Sequence, residues 1–258
     1  MALQQCGLVS SSILEDFVNR LEPCGFNRFY YAIVTDDEYS IRDTLGCCSN
    51  LNASRMVNLR RMRFAVASDA SILEYRDEYL HRYAQSDETF ARLGPALRKR
   101  HNPFIWPGNV LPSRRLKSFQ RFQQRFGVDA RATYYHPLPE RPGWLGVCHL
   151  FSPLSVDEVN DKVNQDFSEF KNLLSHYCET FTALSFGSIN PLANFGVLSS
   201  TCIQILSLVA DGYSSEEIGE QLYMSERGVN YHLDRARQIL MARNRTNLIS
   251  KAFRQGVI

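Results

Sequence analysis

The sequence predicts an α+β chain: an N-terminal α/β/α sandwich on an antiparallel sheet, then an all-α domain of four helices. Three observations carry this. Residues 28–34, 133–138 and 144–151 are short runs rich in aromatic and β-branched residues, and the turn-forming PERPG joins the last two. Amphipathic segments precede and follow those runs. The last sixty residues carry only helical periodicity, punctuated by glycine and serine.

In chain order, Ser12 and Glu15 read as a capping box ahead of Ile13, Leu14, Phe17, Val18 and Leu21, and Pro23, Cys24 and Gly25 end that helix. Asp36 and Asp37 end the first strand. Ser113–Phe126 predicts a helix with Leu116, Phe119, Phe122 and Phe126 inward. Its Arg114, Arg115, Lys117, Arg121 and Arg125 make a solvated basic face. Ser155 and Glu158 form a second capping box. Behind it Val156, Val159, Val163, Phe167, Phe170, Leu174, Tyr177, Phe181 and Leu184 step by three or four, which predicts one helix of about eight turns. That stripe is expected to pack mainly on the sheet. FGSINPLANFGV, residues 186–197, reads as a linker between domains at 1–185 and 198–258.

In the last segment Ile203, Leu206, Val209 and Ala210 are spaced for a helix, and Gly212 stands where a left-handed residue ends one. Ser214 or Ser215 caps a short second helix with Ile218 and Leu222 inward and Glu216 and Glu217 at its N-terminal dipole. Ser225 caps a third, with Val229, His232, Leu233 and Ala236 on one side. Two short helices joined by a tight polar turn make a helix-turn-helix. The outward residues of the third helix are Glu226, Arg227, Asn230, Tyr231, Asp234 and Arg235. Arginine pairs bidentately with guanine and asparagine with adenine, which points to double-stranded DNA as a partner. Residues 227–254 hold seven basic side chains against the single acid Asp234.

Composition sets the bounds. At 258 residues with 44% hydrophobic and 22% charged content the chain suits two globular domains, and its net charge of +2 does not by itself favour nucleic acid. No apolar run approaches twenty residues, and the N-terminus lacks the pattern of a secretory signal, so a cytoplasmic protein without a membrane role is expected. Seven cysteines without a CxxC pair read as free thiols, with adjacent Cys47 and Cys48 as redox candidates.

The C-terminal segment resembles the LuxR-type helix-turn-helix of bacterial transcription regulators. The resemblance rests on Leu198, Leu206, Gly212, Ser214, Glu217, Ile218, Leu222, Ser225, Val229, His232, Leu240, Asn244, Arg245, Thr246 and Ala252. It implies that Ser225, Arg227, Asn230, Tyr231, Asp234, Arg235 and Arg245 face DNA in a homodimer. Cys202, Gln204 and Gly228 depart from the pattern, since the family usually has acids at the first two positions and threonine at the third.

Upstream, Tyr75, Tyr79 and Tyr83 stand at four-residue spacing with Asp87 one turn beyond, and Trp106 follows. Tyrosines so placed share one helix face, as a core stripe or a pocket wall, and a carboxylate among them needs a hydrogen-bond partner. The pattern resembles the autoinducer-binding domain of LuxR-type quorum-sensing receptors, which bind acyl-homoserine lactones. The resemblance implies that residues 1–185 sense a small-molecule signal. Tyr75 would meet a lactone carbonyl, Tyr79 and Tyr83 would line the pocket, and Asp87 would accept from the ligand amide. Trp106, Thr89 and His149 complete the implied set. Here too the chain departs. Tyr75 stands at a tryptophan position, Glu88 at a proline, His149 where a small hydroxyl residue is usual, and about twenty extra residues lie between Gly25 and Tyr75. A register using Met56 and Asp69 loses the tyrosines and Trp106.

No catalytic residue, metal or cofactor is expected. Cys148 and His149 are strand neighbours and point to opposite faces, so they form no dyad. No P-loop, zinc spacing or GxSxG occurs. The reading is a small-molecule-responsive DNA-binding regulator of quorum-sensing type. The alternative is a LuxR-type regulator driven by phosphorylation or protein contacts, with Asp36 and Asp37 at the end of a receiver strand.

Overall fold

The computed structural model describes residues 3–5, 7, 9–35, 59–87, 96–97, 101–107, 113–141 and 143–258. Thr89, Glu88, Asp36, Asp37, Met56, Cys47 and Cys48 lie outside these.

A six-stranded sheet forms the centre of the N-terminal domain. The strands are β1 (Gln4–Gln5), β2 (Arg28–Thr35), β3 (Phe64–Ala67), β4 (Phe104–Ile105), β5 (Ala130–Pro137) and β6 (Trp144–Ser152), in the order β1-β3-β2-β6-β5-β4. All pairings are antiparallel except β1 with β3, where the two-residue edge strand runs parallel. The sheet is therefore mixed at one edge, where a purely antiparallel one was expected.

Alternation along the strands sorts side chains to two faces. Phe29, Tyr31, Ile33, Val66, Ala132, Tyr134, Cys148 and Leu150 are buried on one face. They pack against α1 (Ser11–Leu21), α4 (Val156–Gln165) and α5 (Phe167–Ile189). Tyr30, Ala32, Val34, Ala65, Ala67, Tyr135, Val147 and Phe151 face the other way, toward α2 (Ala70–Arg82) and α3 (Ser113–Phe126). Helices on both faces make the expected α/β/α sandwich.

Two local expectations are corrected. Ser12 and Glu15 form no capping box: α1 starts at Ser11, and Ser10 holds the cap position without a side-chain hydrogen bond to the backbone. The long stripe is two helices, because Asp166 leaves helical geometry (φ −145°, ψ 75°) and its carboxylate caps α5 by accepting from Glu169 N at 2.9 Å. Asp69, from the discarded register, caps α2 by accepting from Ile72 N at 3.1 Å. The Ser155–Glu158 box is present.

Residues 186–197 have regular structure of their own. α5 runs to Ile189, and Asn190 caps the one-turn α6 (Pro191–Asn194), with every residue from 189 to 195 buried. The Asn194 amide accepts from Arg63 N (2.9 Å) and Phe64 N (2.8 Å) and donates to Phe64 O (2.9 Å). Asn190 Nδ2 donates to the carbonyls of Gln255 (2.6 Å) and Gly256 (2.9 Å). One helical turn and its cap are thus hydrogen-bonded to the sheet and to the residues that follow the helix Arg245–Arg254.

The C-terminal domain has four helices: α7 (Ser200–Ala210), α8 (Ser215–Gln221), α9 (Glu226–Ile239) and α10 (Arg245–Arg254). Ser199, Ser214, Ser225 and Asn244 cap them, each side chain accepting from a backbone N–H in the first turn. Gly212 ends the first at φ +97°, a conformation that costs a side chain but not glycine. The core is Cys202, Ile205, Leu206, Ile218, Val229, Leu233, Ala236, Ile239, Leu248 and Ala252.

Candidate ligand pocket and nucleic-acid interface

The sheet face opposite α4 and α5 carries a cavity of about 70 Å³. Register explains its composition. Tyr30 pairs with His149 across β2 and β6, and His149 with Thr133 across β6 and β5, so three polar residues line up on one face. Arg131 lies two residues before Thr133 on the same face. From α2 come Tyr75, Arg76 and Tyr79, and Trp106 follows β4.

Four of the expected ligand residues line the cavity: Tyr75, Tyr79, Trp106 and His149. Two others are placed beside it. Asp87 is buried, accepts a short hydrogen bond from the Tyr79 hydroxyl, and lies 3.7 Å from an Arg131 nitrogen. Tyr83 packs between Phe119 and Phe122 and bonds Ser118 Oγ at 3.0 Å, which makes it a contact between α2 and α3.

Behind the cavity, Trp106 Nε1 donates to Thr133 Oγ1 at 2.8 Å, and Thr133 Oγ1 lies 2.8 Å from His149 Nδ1. The hydroxyl has one proton and two lone pairs, so it can bond Nδ1 in either imidazole tautomer while accepting from Trp106. Burial, with Arg76 and Arg131 nearby, pushes His149 down to about 3, so it is neutral at any ordinary pH. The Tyr75 hydroxyl is buried without a hydrogen-bond partner of good geometry among the described residues. Burial raises its phenol, against the pull of nearby Arg131.

Arg76 and Arg131 were missed as pocket residues. Arg76 is 4% exposed, bonds Leu59 O at 2.8 Å and pairs with Asp77 at 3.0 Å. The Arg131 guanidinium lies over Tyr79 at 4.8 Å, Phe119 at 5.3 Å and Trp106 at 5.7 Å. The signal for Arg131 was its two-residue spacing from Thr133 and Tyr135, visible only once β5 is begun at Ala130.

In the C-terminal domain Ser225, Glu226, Arg227, Asn230, Tyr231, Asp234 and Arg235 are all exposed on α9, while Val229, Leu233 and Ala236 are buried beneath. The outward face is therefore polar and open to solvent. Ser214 is the cap, and Ser215, the other cap candidate, has a different part. Its hydroxyl donates to Asn230 Oδ1 at 2.9 Å and accepts from Arg245 Nη1 at 3.1 Å. That bridge orients the Asn230 amide and ties α10 to α9. Arg237, on the same helix, pairs with Asp234 at 3.1 Å. A carboxylate there lowers the positive potential of the face.

Residues 196–252 match the family model described as bacterial regulatory proteins, luxR family. The chain thus carries a luxR-family DNA-binding domain at its C-terminal end. Transcriptional regulatory protein DegU of Brevibacillus brevis is 25% identical over 99 residues, which cover 38% of this chain and 42% of that protein. The chain therefore spans less than half the length of that relative. Among solved structures, Escherichia coli SdiA is similar at 16% identity and a TM-score of 0.39, over 97% of this chain and 92% of that one. SdiA in complex with octanoyl-rac-glycerol gives 15% identity and a TM-score of 0.41, over 96% and 89%. Likeness of that degree says nothing about what this chain binds.

Proposed function

We propose that the chain is a small-molecule-responsive transcription regulator of the quorum-sensing type, acting on double-stranded DNA as a homodimer in the cytoplasm and catalysing no reaction. The observation that carries this is the pairing of a luxR-family domain, with its polar reading face exposed, and a polar-lined cavity between sheet and helices in the other domain. Ser225, Arg227, Asn230, Tyr231, Asp234, Arg235 and Arg245 are the DNA-facing set, with Arg227 and Asn230 reading bases. Tyr75, Tyr79, Trp106 and His149 contact the signal, and Asp87 acts on it through Tyr79 and Arg131. Thr89 belongs to this proposed set on the sequence pattern alone. Acyl-homoserine lactones and related amphiphiles are the starting class. Ligand sites usually run to roughly 300–1,000 Å³, so a signal of that size displaces side chains on entry, which gives it a way to change the fold's balance.

In such a dimer the two α9 helices would stand about 34 Å apart on a near-palindromic site. The mainly antiparallel sheet supports this reading over a phosphorylated receiver, whose doubly wound fold is parallel. Selection of duplexes from a random pool tests the DNA half. A palindromic consensus lost in Arg227→Ala is expected, and recovery of none rejects it. Mass spectrometry of small molecules released from protein purified from its host tests the sensor half, and an empty spectrum rejects it.

A further inference from the structure

We infer that the cavity on the sheet takes a ligand bearing a carboxylate, held by Arg76, Arg131 and the Tyr75 hydroxyl, in place of a neutral lactone. The inference rests on the sensor reading and names the chemistry of its signal.

The cavity's charge points this way first. Among the described residues its charged lining groups are Arg76 and Arg131, both cations, with no carboxylate. The acids that balance them stand behind. Asp77 accepts from Leu3 N at 3.2 Å and pairs with Arg76 at 3.0 Å, and its side chain is 30% exposed. Asp87 holds the Tyr79 hydroxyl, and its 3.7 Å separation from Arg131 is an ion pair longer than a hydrogen bond. A guanidinium has five N–H donors in a fork that matches a carboxylate. At that distance the acid does not accept a hydrogen bond from the fork, and the phenols of Tyr75 and Tyr79 are the other polar groups beside it.

The Tyr75 hydroxyl is the second, independent observation. It is 1% exposed, lines the cavity beside Arg131 and has no hydrogen-bond partner of good geometry among the described residues. A buried polar group without a partner marks a place where something else completes the bond. Two cations and a phenol converge here, beside the neutral imidazole of His149. The depressed basicity of His149, caused by burial and then by Arg76 and Arg131, reports the same positive potential. The two guanidinium groups and the phenol all donate. A carboxylate offers two oxygens that only accept, whereas a lactone amide also brings an N–H, and no carboxylate among the described lining residues faces the cavity to accept it.

Matched pairs that differ in charge give the test. Calorimetry on the full chain would compare N-octanoyl-homoserine with N-octanoyl-homoserine lactone, and 3-phenylpropanoate with 3-phenylpropanamide, at slightly acidic pH where the lactone ring persists. In at least one pair the acid should bind about tenfold tighter or more. Arg131→Gln or Arg76→Gln should erase that preference, and the wild-type ratio decides alone should a variant fail to fold. Equal or tighter binding of the neutral members overturns the inference while leaving the sensor reading intact. Should none of the four bind, the molecule released from host-purified protein decides: an acid supports the inference and a neutral compound overturns it. No released molecule at all overturns both.

Discussion

Replacing Gly228 with alanine should stabilise the protein, although the residue lies in the helix proposed to read DNA. Gly228 is the third residue of α9, and its N–H bonds the cap oxygen of Ser225 at 3.2 Å. A Cβ built there meets Ser225 Oγ at 3.5 Å and Met224 Cβ at 3.9 Å, ordinary contacts. Nothing in the fold demands glycine at that point. Alanine is favoured over glycine in a helix interior by roughly 0.8–1.0 kcal/mol, and somewhat less in the first turn, so a gain of about 0.5–1 kcal/mol is expected. For a chain of this size that is roughly 1–4 °C in Tm. Urea unfolding followed by circular dichroism should show a higher midpoint at unchanged slope. Gly219→Ala is the matched control. Its Cβ would lie 2.7 Å from the Met224 carbonyl oxygen, so overpacking should cost about 1–3 kcal/mol. A destabilised Gly228→Ala, or a neutral Gly219→Ala, would refute the steric reasoning. Operator affinity at fixed salt adds a second readout. Higher stability with weaker binding would mean that Gly228 serves close approach to the groove.

Other perturbations have equally definite outcomes. Arg227→Ala should weaken binding to the preferred operator by roughly 1–3 kcal/mol while leaving the urea midpoint in place, as gel-shift titration would show; unchanged preference removes Arg227 from the reading set. Asp87→Ala should cost about 3 kcal/mol of folding stability as well as the ligand response, because it strands the Arg131 cation, which is 11% exposed. A variant as stable as wild type would show that Arg131 does not depend on the pair. Folding should weaken on acidification, because the folded state holds His149 at about 3 against an ordinary 6.5, and the unfolded chain takes up the proton first. The stabilisation is whole above about pH 6.5 and is lost as pH falls toward 3. At about pH 5.5 the loss from this group is roughly 1.4 kcal/mol. His149→Gln should flatten the profile in that window, and an unaltered slope would reject the buried, neutral imidazole. Burial of His136 adds a smaller effect of the same sign.

The sequence was most legible where local chemistry decides structure. Serine caps at 155, 214 and 225, the glycine at 212 and the strand runs of β2, β5 and β6 are local signals, and they appear where expected. Ser10 displaced Ser12 as a cap because several serines in a row leave the start of a helix to tertiary packing. β3 and β4 were illegible for another reason: at four and two residues they carry no periodicity, and only the sheet beside them makes them strands. Asp166 breaks a stripe that continues unbroken in hydrophobic spacing, since Val163 and Phe170 are both buried on either side of it. The pocket divided along the same line. Tyr75, Tyr79 and Trp106 were readable as a pattern, but Arg131 became visible only through register, and Arg76 only through the packing of α2 on the sheet.

Asn190 has a practical consequence for handling this protein. Its amide is fully buried and donates to the carbonyls of Gln255 and Gly256. Those residues look like a dispensable tail, yet they complete a joint between the halves. Trimming the chain before Gln255 would strand a buried amide at a cost of about 1–3 kcal/mol. Studies of isolated halves should therefore divide the chain elsewhere, and affinity handles belong at the other end.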